Sequence, residues 1–94
     1  MNANDYKKIF QDVLLDKPHC ILGKKGIDDN QGFIKHVQDL LKKHKIIKIK
    51  LLKTALHGES VENIAKKIVD NTGSHLLDLR GRTLIISQHS VNIH

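Results

Sequence analysis

The spacing of apolar residues along this chain alternates between a period near 3.6 and a period of 2, and each switch marks a new element. Tyr6, Ile9, Phe10, Val13 and Leu14 recur at helical spacing and predict an amphipathic helix from Asp5 to Asp16. Lys17-Pro18 ends it, because a residue before proline avoids the helical well. His19-Cys20-Ile21-Leu22, closed by Gly23, predicts a short buried strand. A second helix follows, with Phe33, Ile34, Val37, Leu40 and Leu41 on one face and Asp28, Asp29 or Asn30 available as its cap. Over Ile46 to Leu52 the period becomes 2, with Ile47, Ile49 and Leu51 on one side and Lys48 and Lys50 on the other. Ser60 can cap a third helix carrying Val61, Ile64, Ala65, Ile68 and Val69, and Gly73 suits its left-handed end. Leu76 to Leu79 and Thr83 to Ile86 predict two strands joined by a tight turn at Gly81. No structure is assigned to the tail from His89 to His94.

The predicted order is α-β-α-β-α-β-β. Strand–helix–strand units favour parallel pairing with right-handed crossovers, and the closing hairpin adds an antiparallel strand. The expected fold is a two-layer α/β sandwich with a mixed four-stranded sheet. The length, 94 residues, accommodates one domain over residues 1–94 with one modest core.

Charge adds the first functional information. Sixteen Lys and Arg against ten Asp and Glu give a net charge of +6. From Leu40 to Gly58 there is no acidic residue, yet Lys42, Lys43, Lys45, Lys48, Lys50 and Lys53 all fall there. Such a field attracts polyanions. No apolar run approaches the length of a membrane span, and the start of the chain lacks a signal-peptide core. The lone Cys20 fits a reducing compartment. A cytoplasmic protein without membrane contact is expected.

Gly23-Lys24-Lys25-Gly26 is the strongest local motif. Two glycines let a sugar–phosphate chain approach the backbone, and two lysines supply charge to it. The loop leads into a helix whose free amides and dipole favour an anion. A GxxG loop that clamps nucleotide backbone is the working device of KH domains, although there it joins two helices. As a bland alternative, the same four residues make an ordinary strand-to-helix connector. Lys48 and Lys50 could line the same surface, and Arg80 and Arg82 could reach phosphates from the hairpin turn, although solvated lysines and turn arginines are common.

At these motifs the sequence resembles the CRM domain (chloroplast RNA splicing and ribosome maturation) in its stand-alone YhbY-like form. The resemblance rests on Ile21 to Ile27, His44 to Lys50, Asn71-Thr72-Gly73 and Asp78 to Ile86, in register over nearly the whole chain. It implies a fold similar to the C-terminal domain of a bacterial translation initiation factor. It also implies RNA binding, with Gly23, Lys24, Lys25 and Gly26 in the contact loop. Prokaryotic members of that family are associated with maturation of the large ribosomal subunit, and plant relatives serve group II intron splicing. Leu56 to Glu59 do not follow the family's pattern, and the tail after Ser87 lacks a basic cluster.

The only aromatics, Tyr6, Phe10 and Phe33, all sit at helical core spacing. A base-stacking sheet of the RRM or OB type is therefore not expected, and contact should run through phosphates, 2′-hydroxyls and RNA shape. Catalytic and metal chemistry find little support. Asp28-Asp29 reads as a helix-start pair, the seven histidines lack close ligand spacing, Cys20 lies in an apolar strand, His44 reads as a dipole partner or packed residue, and Ser60 reads as a cap. The expectation is a non-enzymatic monomer without cofactor or small-molecule substrate, bound to ribosomal RNA or the precursor large subunit. Two alternatives remain: an Alba-like chromatin protein, dimeric and binding duplex DNA, and a protein-interaction module of a ribonucleoprotein.

Overall fold

The computed structural model describes residues 3–90, so the expectation for residues 91–94 of the tail lies outside them. The elements follow the predicted order: α1 (Ala3–Leu15), β1 (Cys20–Leu22), α2 (Gln31–Lys43), β2 (Ile46–Leu51), a 3-10 turn (Lys53–Ala55), α3 (Val61–Thr72), β3 (His75–Arg80) and β4 (Thr83–Ser87). The caps are the expected ones. Of the three candidates before α2, Asn30 is the cap, its Oδ1 accepting the Phe33 N–H at 3.2 Å. Ser60 Oγ accepts the Asn63 N–H at 3.1 Å, and Gly73 closes α3 at φ 66°.

The sheet is mixed, in the order β1-β2-β4-β3. β1 and β2 run parallel, and β4 lies antiparallel between β2 and β3. The hairpin therefore folds back into the gap left by the β2–α3–β3 crossover. β4 consequently becomes a central strand, and Leu84, Ile85, Ile86 and Ser87 are all buried. Two residues, Gly81 and Arg82, separate the paired Arg80 and Thr83, with Gly81 at φ 57° in the first central position.

The α/β sandwich with its mixed four-stranded sheet is the expected one, and α1 adds to its layering. α2 and α3 pack on one face over Ile47, Ile49, Leu51, Leu84 and Ile86. α1 lies on the other, where Tyr6, Phe10 and Val13 meet Ile46, Leu77 and Ile85. Ile46 and Ile85 alternate with the inner residues of their strands and would be exposed if α1 did not cover them. Burying an isoleucine fully contributes about 1.5–3 kcal/mol, enough to hold α1 in place as a partial third layer. Beyond α1 the outer face stays open, and Ile21 is 54% exposed there.

Candidate nucleic-acid interface

Strand direction sorts the cationic residues. β1 and β2 finish at the same end of the sheet, where Leu22 pairs with Leu51. The β3–β4 turn lies at that end too, since Leu51 N–H donates to the Arg82 carbonyl at 2.7 Å. Lys24 and Lys25 follow β1, Lys53 follows β2, and Arg80 and Arg82 border the turn; all five are exposed. Across the outer face the pairings Ile21–Lys50, Lys50–Thr83 and Thr83–Arg80 set these four residues in one row. The fold thus brings Lys24, Lys25, Lys50, Arg80 and Arg82 to one end of the sheet, together with Lys53. α2 and α3 also begin at this end.

The contiguous lysine run does not form one patch. Lys42, Lys43 and Lys45 lie at the opposite end, around the close of α2 and the start of β2. Lys48 is half-buried, and its ammonium donates to the carbonyls of Leu14 at 3.0 Å and Asp16 at 2.9 Å. It satisfies carbonyls left over at the end of α1 and places positive charge at that helix's negative pole. As a solvent-facing partner of Lys50, the role expected for it, Lys48 is thus already engaged within the protein. Arg80 is partly engaged as well, its Nε lying 2.7 Å from Asp78 Oδ2. Leu14, Lys48, Asp78, Arg80, Thr83 and Ile85 line a small pocket between the end of α1 and the hairpin.

The glycine loop is a tight turn in which Gly26 N–H donates to the Gly23 carbonyl at 2.9 Å. Its two glycines serve different ends. Gly23 is half-buried, and a Cβ there would meet only Leu52 at an ordinary 3.9 Å. Gly26 is buried at φ 76°, and a Cβ on it would fall 2.5 Å from Cε1 of His57. The missing side chain of Gly26 makes room for a protein group, contrary to the expectation that both glycines open the loop to a ligand. His57 Nε2 also lies 2.7 Å from the Lys24 carbonyl. A carbonyl only accepts, so Nε2 carries the hydrogen.

The junction with α2 also differs from the expected direct entry into a helix start. Ile27 to Asn30 intervene, and the Asn30 side chain both takes the Phe33 N–H and donates to the Gly26 carbonyl at 2.7 Å. One of the helix's free amides is thereby occupied from within. Nearby acidic charge is partly neutralised, since Lys67 of α3 holds Asp28 at 3.0 Å and Glu59 at 2.9 Å. The side-chain hydrogen bond to Glu59, then that to Asp28, raises the Lys67 pKa.

His57 escaped sequence reasoning because Leu56 to Glu59 matched no motif, and Lys67 because its partners Asp28 and Glu59 are distant or in that same stretch. The available signal was local: His57-Gly58 is a pair of left-handed residues, at φ 48° and 81°. At the other end His44 caps α2, with its ring centroid 4.9 Å from that of His19. Cys20 is buried in β1, and burial pushes its thiol pKa up to about 11, which holds it as an unreactive thiol. Among the described residues, no group of three or more His, Cys, Asp or Glu side chains could hold a metal ion. Nor is any helix among them long and apolar enough to cross a membrane.

Comparison with known proteins accords with this fold. No curated protein sequence matches the chain. The solution structure of a hypothetical Staphylococcus aureus protein, described as a candidate RNA-binding protein, superposes with a TM-score of 0.67 at 22% identity, covering 98% of this chain and 92% of that one. The two share a fold. The profile of the CRS1 / YhbY (CRM) domain matches residues 3–86. The chain belongs to the CRS1/YhbY (CRM) domain family.

Proposed function

We propose that this protein binds structured RNA through the cationic end of its sheet and serves assembly or maturation of the large ribosomal subunit. The observation that carries the reading is the convergence of Lys24, Lys25, Lys50, Arg80 and Arg82, scattered in sequence, on the end where the glycine loop emerges. Membership of the CRM family and the description of the staphylococcal structure support RNA as the polyanion. The three aromatics of the sequence, in α1 and α2, offer no stacking platform on the strands, which favours recognition through phosphates and shape. In this reading the protein acts as a monomer in the cytoplasm, binds and releases RNA without altering it, and needs no cofactor. Gly23 gives the phosphate chain access, and Lys24 and Lys25 contact it.

Replacing Lys24 and Lys25 together by Ala tests the assignment, with purified ribosomal RNA as the probe. Affinity should fall for all sequences, and the salt slope should drop by about one per lost contact. Unchanged binding by the double variant would remove the loop from the interface. A homodimer on a sizing column with equal affinity for duplex DNA would favour the Alba-like alternative. Salt-insensitive association with a protein partner in place of RNA would favour the interaction module.

A further inference from the structure

A loop that receives phosphate must keep its own carbonyl oxygens away from the anion, because each carries partial negative charge. Three of the loop's carbonyls are already taken by specific bonds. The Gly23 carbonyl takes the Gly26 N–H, the Gly26 carbonyl takes the Asn30 amide, and the Lys24 carbonyl takes the His57 Nε2–H. The first two partners come from the loop or its immediate continuation. His57 comes from 33 residues away. Its position is specific on three counts: its left-handed backbone, the left-handed Gly58 after it, and the absence of a Cβ on Gly26 where its ring sits. A non-glycine residue held in that backbone region persists when its surroundings fix it, and such residues gather at functional sites.

We infer that His57 is a positioning residue for the RNA-contacting loop: its imidazole N–H holds the Lys24 carbonyl and fixes the turn that presents Lys24 and Lys25. This rests on the functional reading above and adds a residue to it. His57 acts through the loop's conformation and needs no phosphate contact of its own. Its loss should weaken RNA binding while leaving the number of ion contacts, and hence the salt slope, as it was. That combination separates His57 from Lys24 and Lys25, whose loss lowers both.

Parent, His57→Ala and His57→Gln proteins are compared in two measurements: amide hydrogen exchange of Gly26 in the free protein, and salt-dependent affinity for purified ribosomal RNA. His57→Ala should expose the Gly26 amide to faster exchange and weaken RNA binding by about fivefold at an unchanged slope. His57→Gln retains an N–H donor and should recover most of both. Unaltered Gly26 exchange in His57→Ala overturns the inference, as does faster exchange with full RNA affinity. Failure of His57→Gln to recover either property removes the donor role. If the parent itself shows no salt-dependent RNA binding, the functional reading fails, and the exchange comparison still decides whether His57 holds the loop.

Discussion

Early in β2, Lys48 reaches back to the carbonyls of Leu14 and Asp16 at the end of α1. Two residues later Lys50, on the same face of the same strand, lies open to solvent. The corners around them differ likewise. At the first corner the backbone N–H of Lys48 donates to His19 Nδ1 at 2.9 Å, and the His19 N–H donates to the Lys48 carbonyl at 2.8 Å. At the second, glycine turns and exposed cations dominate. The strand pattern treats the two lysines as equivalent. What separates them is whether unsatisfied carbonyls lie within reach of the ammonium, and the packing of α1 decides that.

The sharpest way to break this comparison is to truncate each lysine. Lys48→Ala strips the end of α1 of two charge-assisted bonds and should cost about 2 kcal/mol, read as a lower denaturation midpoint with an unchanged RNA salt slope. Lys50→Ala should stay within about 0.5 kcal/mol of the parent in stability and should lower RNA affinity. A reversed pattern, with Lys50 structural and Lys48 carrying RNA binding, would refute the division.

The glycine loop offers a second, smaller contrast. Gly26→Ala forces a Cβ into a left-handed backbone position and against the His57 ring, and should cost about 1 kcal/mol. It should also impair RNA binding by displacing that ring. Gly23→Ala meets open space and an ordinary contact with Leu52, so stability should hold. Any loss of RNA affinity in Gly23→Ala then reports on close approach of the ligand. Equal destabilisation by the two substitutions, measured by urea unfolding, would show that the loop does not divide its glycines in this way.

Local pattern carried most of the fold. The alternation at Ile46 to Leu51, the caps at Asn30, Ser60 and Gly73, and the turn at Gly81 are short-range features, written in neighbouring residues. Layering was not, because α1 has one apolar stripe that could cover either face of the sheet. The choice depends on Ile46 and Ile85, whose outward direction becomes informative only once β4 sits beside β2. The candidate site divides similarly. Lys24, Lys25, Arg80 and Arg82 were legible as motif residues, whereas the diversion of Lys48 and the brace from His57 are contacts between distant segments that no spacing rule encodes.

The smallest expected effect comes from pH at the first corner. Burial, then the neighbouring His44 and also Lys48, lower the His19 pKa below its ordinary 6.5, against the opposing influence of Asp16. Nδ1 accepts the Lys48 amide hydrogen, so a proton there would set two donors face to face. The unfolded chain takes up this proton more readily than the folded one. The contribution is therefore fully present above pH 6.5 and is lost as pH falls through the lower folded-state value. Asn at this position offers Oδ1 as an acceptor without titrating. Denaturation midpoints followed from about pH 8 to 5 should fall more steeply in the parent than in His19→Asn. Lys50→Ala should follow the parent curve, since its ammonium touches none of these groups. Parallel curves for parent and His19→Asn would place the acid sensitivity outside this corner and leave the corner held by Lys48 alone.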